Sequence, residues 1–304
     1  MRRRLIMVMG KGGVGRTTVC ATLAEVARHR TLRTLVIEVD VHTPIARGYG
    51  VKTGFRPQPL TDNLFAMLLD RRESIEEYLG FVVARPILQA VFASNLYQNF
   101  IQAAPALREL MMMGKIFHEI ERRAPALPPW DLVLVDLPAS GQALAMLEMP
   151  LAARETFGDN LVGREAAAIA RLFRDRDRCA LLVATTAEPL AVAETLEVSR
   201  KLAAVGLPCQ GVMLNRVSPP PFSTADLARL ERSPGRLRCR PTLIAIARKA
   251  LNRHERERRA AVMLRRLIGV PLLALAELPG RTNRELAAEL ARTLDPQASA
   301  RADV

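Results

Sequence analysis

The chain has few of the residues that staple small folds or hold transition metals. Its four cysteines, Cys20, Cys179, Cys209 and Cys239, are scattered and form no C-x-x-C pair. Neither a disulfide framework nor a zinc site is expected from them. The four histidines are equally dispersed, and His118-Glu119 lacks a second histidine one helical turn on. No apolar run of about 18 residues free of charge exists, so no membrane span is expected. Arg2-Arg3-Arg4 followed by apolar residues has the look of a signal peptide. The apolar part is too short, however, and no small-residue cleavage site follows it. It reads as a strand of a cytoplasmic protein. Internal repeats are absent as well.

Acidic residues are also in deficit: 44 Lys and Arg stand against 31 Asp and Glu, a net charge of +13. Such an excess suits nucleic acid or an anionic membrane, but it equally suits arginine written on solvated faces along the whole chain. One block is denser, from Arg248-Lys249 through Arg253, Arg256, Arg258-Arg259 and Arg265-Arg266. Leu251, Val262, Leu264 and Leu267 are interspersed, which makes it a basic helical segment with either a polyanion or water outside it.

The hydrophobic share, 49% of 304 residues, allows a large core in one elaborated α/β domain or in two. Six short β-rich runs recur: Leu5–Met9, Thr34–Val39, Asp131–Leu137, Ala180–Thr185, Gln210–Leu214 and Pro271–Ala276. Most are near-continuously apolar, as strands covered on both faces are. Helical patterns such as Leu190–Val205 and Phe222–Leu230 lie between them, so the expected fold is α/β, a doubly wound and mostly parallel sheet. From about residue 56 to 129 no clear strand is visible. Helix-like segments at Asn63–Leu69, Ser74–Leu79, Arg85–Phe92 and Leu107–Arg122 predict a helical insertion there. Met111-Met112-Met113, with Met146 and Met149, read as core packing rather than as an adaptable surface. Ser218-Pro219-Pro220-Pro221 is a stiff connector. Residues 1–294 are taken as one domain and 295–304 as a flexible tail.

The chain is organised around Gly10-Lys11-Gly12-Gly13-Val14-Gly15-Arg16-Thr17-Thr18. It follows an apolar strand and opens a helix-like run through Val19, Leu23 and Val26, the context that makes a phosphate loop credible. Glycines let backbone N–H groups curl around phosphate oxygens, and the helix start adds partial positive charge. Thr17 falls where such a loop holds Mg²⁺, and Arg16 stands where a lysine is usual. Arginine keeps the charge but as a rigid planar fork, a change that phosphate binding tolerates better than catalytic geometry. The alternative is a glycine-rich turn with no ligand. Ligands of parallel sheets bind at the carboxyl edge, where Asp40 and Asp136 each end an apolar strand. Asp136 is placed as a Walker-B-type partner of hydrated Mg²⁺, and Gly141 as a donor to a γ-phosphate through its backbone N–H. The plainer role for each aspartate is a helix cap or turn.

Lys11-Gly12-Gly13 resembles the deviant phosphate loop of the family that includes the arsenical-pump (ArsA) and tail-anchored-protein-targeting ATPases, the nitrogenase iron protein and the MinD/ParA group. Val135-Asp136-Leu137-Pro138-Ala139-Ser140-Gly141-Gln142 is similar to the switch II segment of the ArsA-type members. Asp40 falls at their switch I aspartate. Asn215-Arg216 resembles their adenine-contacting asparagine, and Leu278-Pro279-Gly280 their late loop near the base. The resemblance implies a dimer in which Lys11 reaches the partner's nucleotide and Asp40 orients the hydrolytic water. It implies ATP and Mg²⁺ as cofactors, held by Gly10 to Thr18 with Asn215 at the base. Departures are Val41-His42-Thr43 after Asp40, Gln142 in place of the switch II histidine, and a shorter span after switch II. No arsenite-type cysteine site has a counterpart either, so the shorter bacterial members are the better match.

The function implied is a Mg²⁺-ATP-dependent dimerising ATPase switch, as a homodimer or a heterodimer with a paralogue, acting on an unidentified protein client. A hydrolysis-deficient partner of an active paralogue is one alternative, motivated by Arg16. A ParA/MinD-type positioning protein that binds DNA or membrane through the basic helix is another.

Overall fold

The computed structural model describes residues 4–39, 42–82, 105–121, 129–218, 222–232 and 239–295. Its frame is an eight-stranded sheet in the order β3-β4-β2-β5-β1-β6-β7-β8. The strands are β1 (Leu5–Gly10), β2 (Thr34–Glu38), β3 (Gln58–Pro59), β4 (Leu64–Leu68), β5 (Leu132–Ala139), β6 (Cys179–Thr185), β7 (Gly211–Val217) and β8 (Leu272–Ala276). Every pairing is parallel except that of the two-residue edge strand β3 with β4. The doubly wound α/β sheet expected from the sequence is thus present.

Side chains alternate across a strand, and β1 shows why its run is apolar throughout. Leu5, Met7 and Met9 enter one hydrophobic core, while Ile6 and Val8 enter the other. Helix α1 (Arg16–His29) packs on the Ile6 and Val8 side, with α2 (Pro44–Gly48) and the last helix, α10 (Asn283–Leu294). The opposite face is covered by α4 (Pro105–Glu121), α5 (Ser140–Phe157), α6 (Leu161–Arg174), α7 (Pro189–Ala204) and the lower half of α9 (Arg240–Ile268). Helix α3 (Arg71–Val82) lies against α4, and α8 (Thr224–Arg232) against α9.

The stretch after residue 55 departs from expectation. Asn63–Leu69 was predicted as helix and is instead strand β4, hydrogen-bonded in parallel register to β2, with Thr34 opposite Leu64 and Glu38 opposite Leu68. Leu, Ala and Met favour helices locally, but five apolar residues between Asn63 and Leu69 bury more surface as an added strand. Tertiary packing overrides the propensity. The stretch is therefore two strands followed by helices. Ser74–Leu79 and Leu107–Glu121 are helical as expected, while Arg85–Phe92 lies outside the described residues. Met111, Met112, Met113 and Met146 are all buried in the core. Trp130 is buried too, donating from Nε1 to Glu119 at 3.1 Å and packing on Phe65 at 5.1 Å. Asp295, assigned to the tail, is instead buried and accepts from Arg30; residues 296–304 lie outside the description.

Candidate functional site

Central strand β1 ends between β5 and β6, and its last residues set the geometry of the loop that follows. Val8 stands opposite Asp136 on β5, and Gly10 opposite Ala184 on β6. A side chain at Gly10 is excluded, since a Cβ there would sit 2.2 Å from the Ala184 carbonyl oxygen. At the loop's other end Gly15 adopts φ 88°, a left-handed conformation that only glycine takes at low cost. Its Cβ would lie 2.2 Å from Asn215 Nδ2. Between them Val14 is buried in the α1-side core, while Gly12 and Gly13 face open space. The loop is pinned at both ends and from below, with its outer side bare.

Two consecutive residues at the start of α1 reach two consecutive residues of β5. The Thr17 hydroxyl donates to Asp136 Oδ2 at 2.6 Å. Arg16 Nη1 donates to the Leu137 carbonyl, also at 2.6 Å. The sequence placed Thr17 and Asp136 together, and they are together. It aimed Arg16 at phosphate oxygens, whereas the guanidinium here lies against the backbone at the end of β5. Thr18 is half-buried on the first turn of α1, where its carbonyl accepts from Thr22 at 2.7 Å. Lys11 is half-buried at the loop's start and makes no ion pair among the described residues. Gly141 is exposed in the first turn of α5, with nothing within 4 Å of an added Cβ. N–H groups of a helix's first turn have no partner within the helix. Asp40 lies outside the described residues.

Asn215, at the end of β7, is 5% exposed and donates through Nδ2 to the Val14 carbonyl at 2.9 Å. It clamps the glycine-rich loop from the side, a bond that its position in the sequence did not suggest. Glu38 was also missed. Fully buried on β2 opposite Asp136, it accepts from the backbone N–H groups of Ile45 at 2.7 Å and Ala46 at 3.1 Å. These are among the first N–H groups of α2, which such a carboxylate satisfies well. The available signal was a lone acid in the apolar run Leu35-Val36-Ile37-Glu38-Val39. Cys20 lies behind the loop, its thiol pushed well above the usual value by burial and then by the charges of Asp136 and Glu38. It remains a neutral thiol. Further along α1, Glu25 accepts from Arg28 at 2.7 Å and from the Tyr49 hydroxyl, tying α1 to the end of α2.

Residues 3–166, more than half of the chain, match the family described as Anion-transporting ATPase, the ArsA-type ATPases. The chain belongs to this family. A protein of Mycobacterium tuberculosis described as "ATPase BagA" is 28% identical over 238 residues, covering 74% of this chain and 68% of the relative. "ATPase ASNA1 homolog 1" of Paramecium tetraurelia is 25% identical over 147 residues, 48% of this chain and 43% of that protein. A "Putative arsenical pump-driving ATPase" of Chlorobaculum tepidum is 25% identical over 154 residues, 48% and 36% of the two chains. The ArsA-type match spans the loop, the Glu38 strand, Asp136 and α5, the part of the fold in which the pinned loop meets β5. No helix among the described residues is long and apolar enough to cross a membrane.

Proposed function

We propose that this ArsA-type chain is a Mg²⁺-ATP-binding ATPase switch that works as a dimer, with residues 1–294 forming the switch domain. The observation that carries the reading is the 2.6 Å contact between the Thr17 hydroxyl and Asp136. It gathers two hard oxygen donors at the carboxyl edge of a parallel sheet, the donor set that Mg²⁺ prefers. The loop fits a polyphosphate: Gly12 and Gly13 leave its outer side open, and α1 starts there with no acidic residue in its first turn. When bound, Mg²⁺-ATP would supply the phosphoanhydride to be cleaved and a cation to neutralise developing charge.

The chain's own residues then divide the work. Backbone N–H groups from Gly12 to Thr18 would bind phosphate oxygens, and Thr17 and Asp136 would hold the cation. Arg16 would add positive charge for the phosphates, and Gly141 would offer its backbone N–H to them. Asp40 would orient the attacking water, Asn215 would border the base, and Lys11 would offset charge on the nucleotide of the opposite subunit. Hydrolysis in such a switch changes shape rather than building a product. The partner is an identical or paralogous subunit, and the client is a protein. Titration calorimetry with ATP and Mg²⁺ tests the reading: binding that Asp136→Asn weakens only when Mg²⁺ is present supports it. Absence of heat with every purine triphosphate overturns it.

A second reading rests on one bond. Arg16 is engaged with the Leu137 carbonyl, and a charge donor that is displaced from its task costs about 10²–10³ in rate. The chain would then bind nucleotide as the hydrolysis-deficient partner of an active paralogue. Single-turnover assays of the protein and of Arg16→Lys separate the two. Tight binding without cleavage in the natural form, with cleavage restored in the variant, favours the partner role.

A further inference from the structure

We propose that the outward face of the last turns of α9 is a docking surface for an anionic lipid membrane. This inference is independent of the nucleotide reading. Helix α9 is 29 residues long and packs on α7, β7 and β8 through one stripe, whose buried residues in its second half are Glu257, Ala260 and Leu264, with Ala261 and Ile268 half-buried. The stripe is locked in place at Arg253, which bonds Glu257 at 2.8 Å, Glu277 at 2.6 Å and the Arg216 carbonyl at 2.9 Å. The opposite side of the same turns is therefore presented rigidly to the outside.

That side is apolar and cationic at once. Val262, Met263 and Leu267 are 52%, 47% and 62% exposed. Three of the nine large hydrophobic side chains exposed among the described residues thus fall within six positions of one helix. Spacings of three and four put Arg256, Arg259, Met263, Arg266 and Leu267 along one face. Arg256, Arg265 and Arg266 are exposed and have no ion-pair partner among the described residues. Arg258 and Arg259 share the single carboxylate of Glu255, both at 2.9 Å. The side chains leave a gap of 450 Å³ lined by Arg258, Arg259, Val262, Met263, Arg266 and Leu267.

The chemistry of this face selects among polyanions. A nucleic-acid backbone rewards the arginines, but gives nothing for burying Met263 and Leu267. A second copy docked face to face would set arginine against arginine, which like charges oppose. A bilayer with acidic headgroups meets both halves: guanidinium groups at the phosphates, and three apolar side chains at the boundary of the acyl chains. Such a surface needs no membrane-spanning helix.

Co-sedimentation of the full chain with vesicles tests this. Vesicles of phosphatidylcholine containing phosphatidylglycerol should bind the protein, and vesicles of phosphatidylcholine alone should not. Replacing Arg256, Arg259 and Arg266 by Gln should weaken binding to the acidic vesicles about a hundredfold. Met263→Gln with Leu267→Gln, which removes apolar surface without adding charge, should weaken it about tenfold or more, while leaving any retention of duplex DNA unchanged. These positions avoid the buried stripe, and an unaltered circular dichroism spectrum confirms that the variants fold. No binding to acidic vesicles at low salt overturns the proposal. So does binding that the Met263 and Leu267 variant leaves intact, which marks a bare polycation, and so does retention of DNA without retention of vesicles.

Discussion

Arginine does opposite jobs at two places in this molecule. At the carboxyl edge of the sheet Arg16 is half-buried, and its guanidinium is aimed at one carbonyl, that of Leu137, beside a hydroxyl-to-carboxylate contact of equal length. On α9 five arginines between Arg256 and Arg266 stand in solvent, two of them sharing one glutamate. In the first place position decides everything, because each polar group is held by buried neighbours. In the second the sum of charge matters and no single pair does, because water screens each of them. A net charge of +13 therefore says little until it is divided between these two kinds of setting.

The contrast makes graded predictions. The largest effect belongs to the sheet edge: Asp136→Asn should reduce ATP turnover by about 10²–10³, measured as single-turnover cleavage. An unchanged rate would remove the special standing of that edge. Glu38→Ala should cost about 3 kcal/mol in urea unfolding, since it leaves two buried N–H donors at the start of α2 without their acceptor. On α9 the inner and outer faces should part sharply. Leu264→Ala should lower stability by about 2–4 kcal/mol and Met263→Ala by less than about 0.5 kcal/mol, although the two are neighbours. The smallest effect is at Glu255, whose carboxyl the hydrogen bonds of Arg258 and then Arg259 hold down to about 2. A depressed acid keeps its contribution above its unfolded value and loses it only as pH falls through the folded one. Because Glu255 stands in solvent and water screens its pairs with Arg258 and Arg259, Glu255→Gln should shift the urea midpoint very little, and a drop from pH 7 to pH 4 should not alter the charge at this position.

Much of the architecture was readable from the chain because buried parallel strands write themselves as unbroken apolar runs. Leu5–Met9 and Leu132–Val135 are examples. Strand β4 was not readable, because Leu, Ala and Met are helix formers and only its partner β2 decides the matter. At the candidate site, the pairing of Thr17 with Asp136 followed from the order of motifs along the sequence. The side-on bond from Asn215 to Val14 spans 201 residues, and nothing in either local stretch announces it. Glu38 was legible only as an anomaly, an acid inside an apolar strand, whose purpose appears once Ile45 and Ala46 fold back over it.

Arg16 and Thr17 are neighbours on α1, and the two residues they grip, Leu137 and Asp136, are neighbours on β5. Beyond that grip the chain runs directly into α5, whose first residue, Ser140, donates to Glu194 on α7. The arrangement is a buckle: one helix start fastens one strand end at two adjacent points, and the strap beyond it is made fast again two helices away.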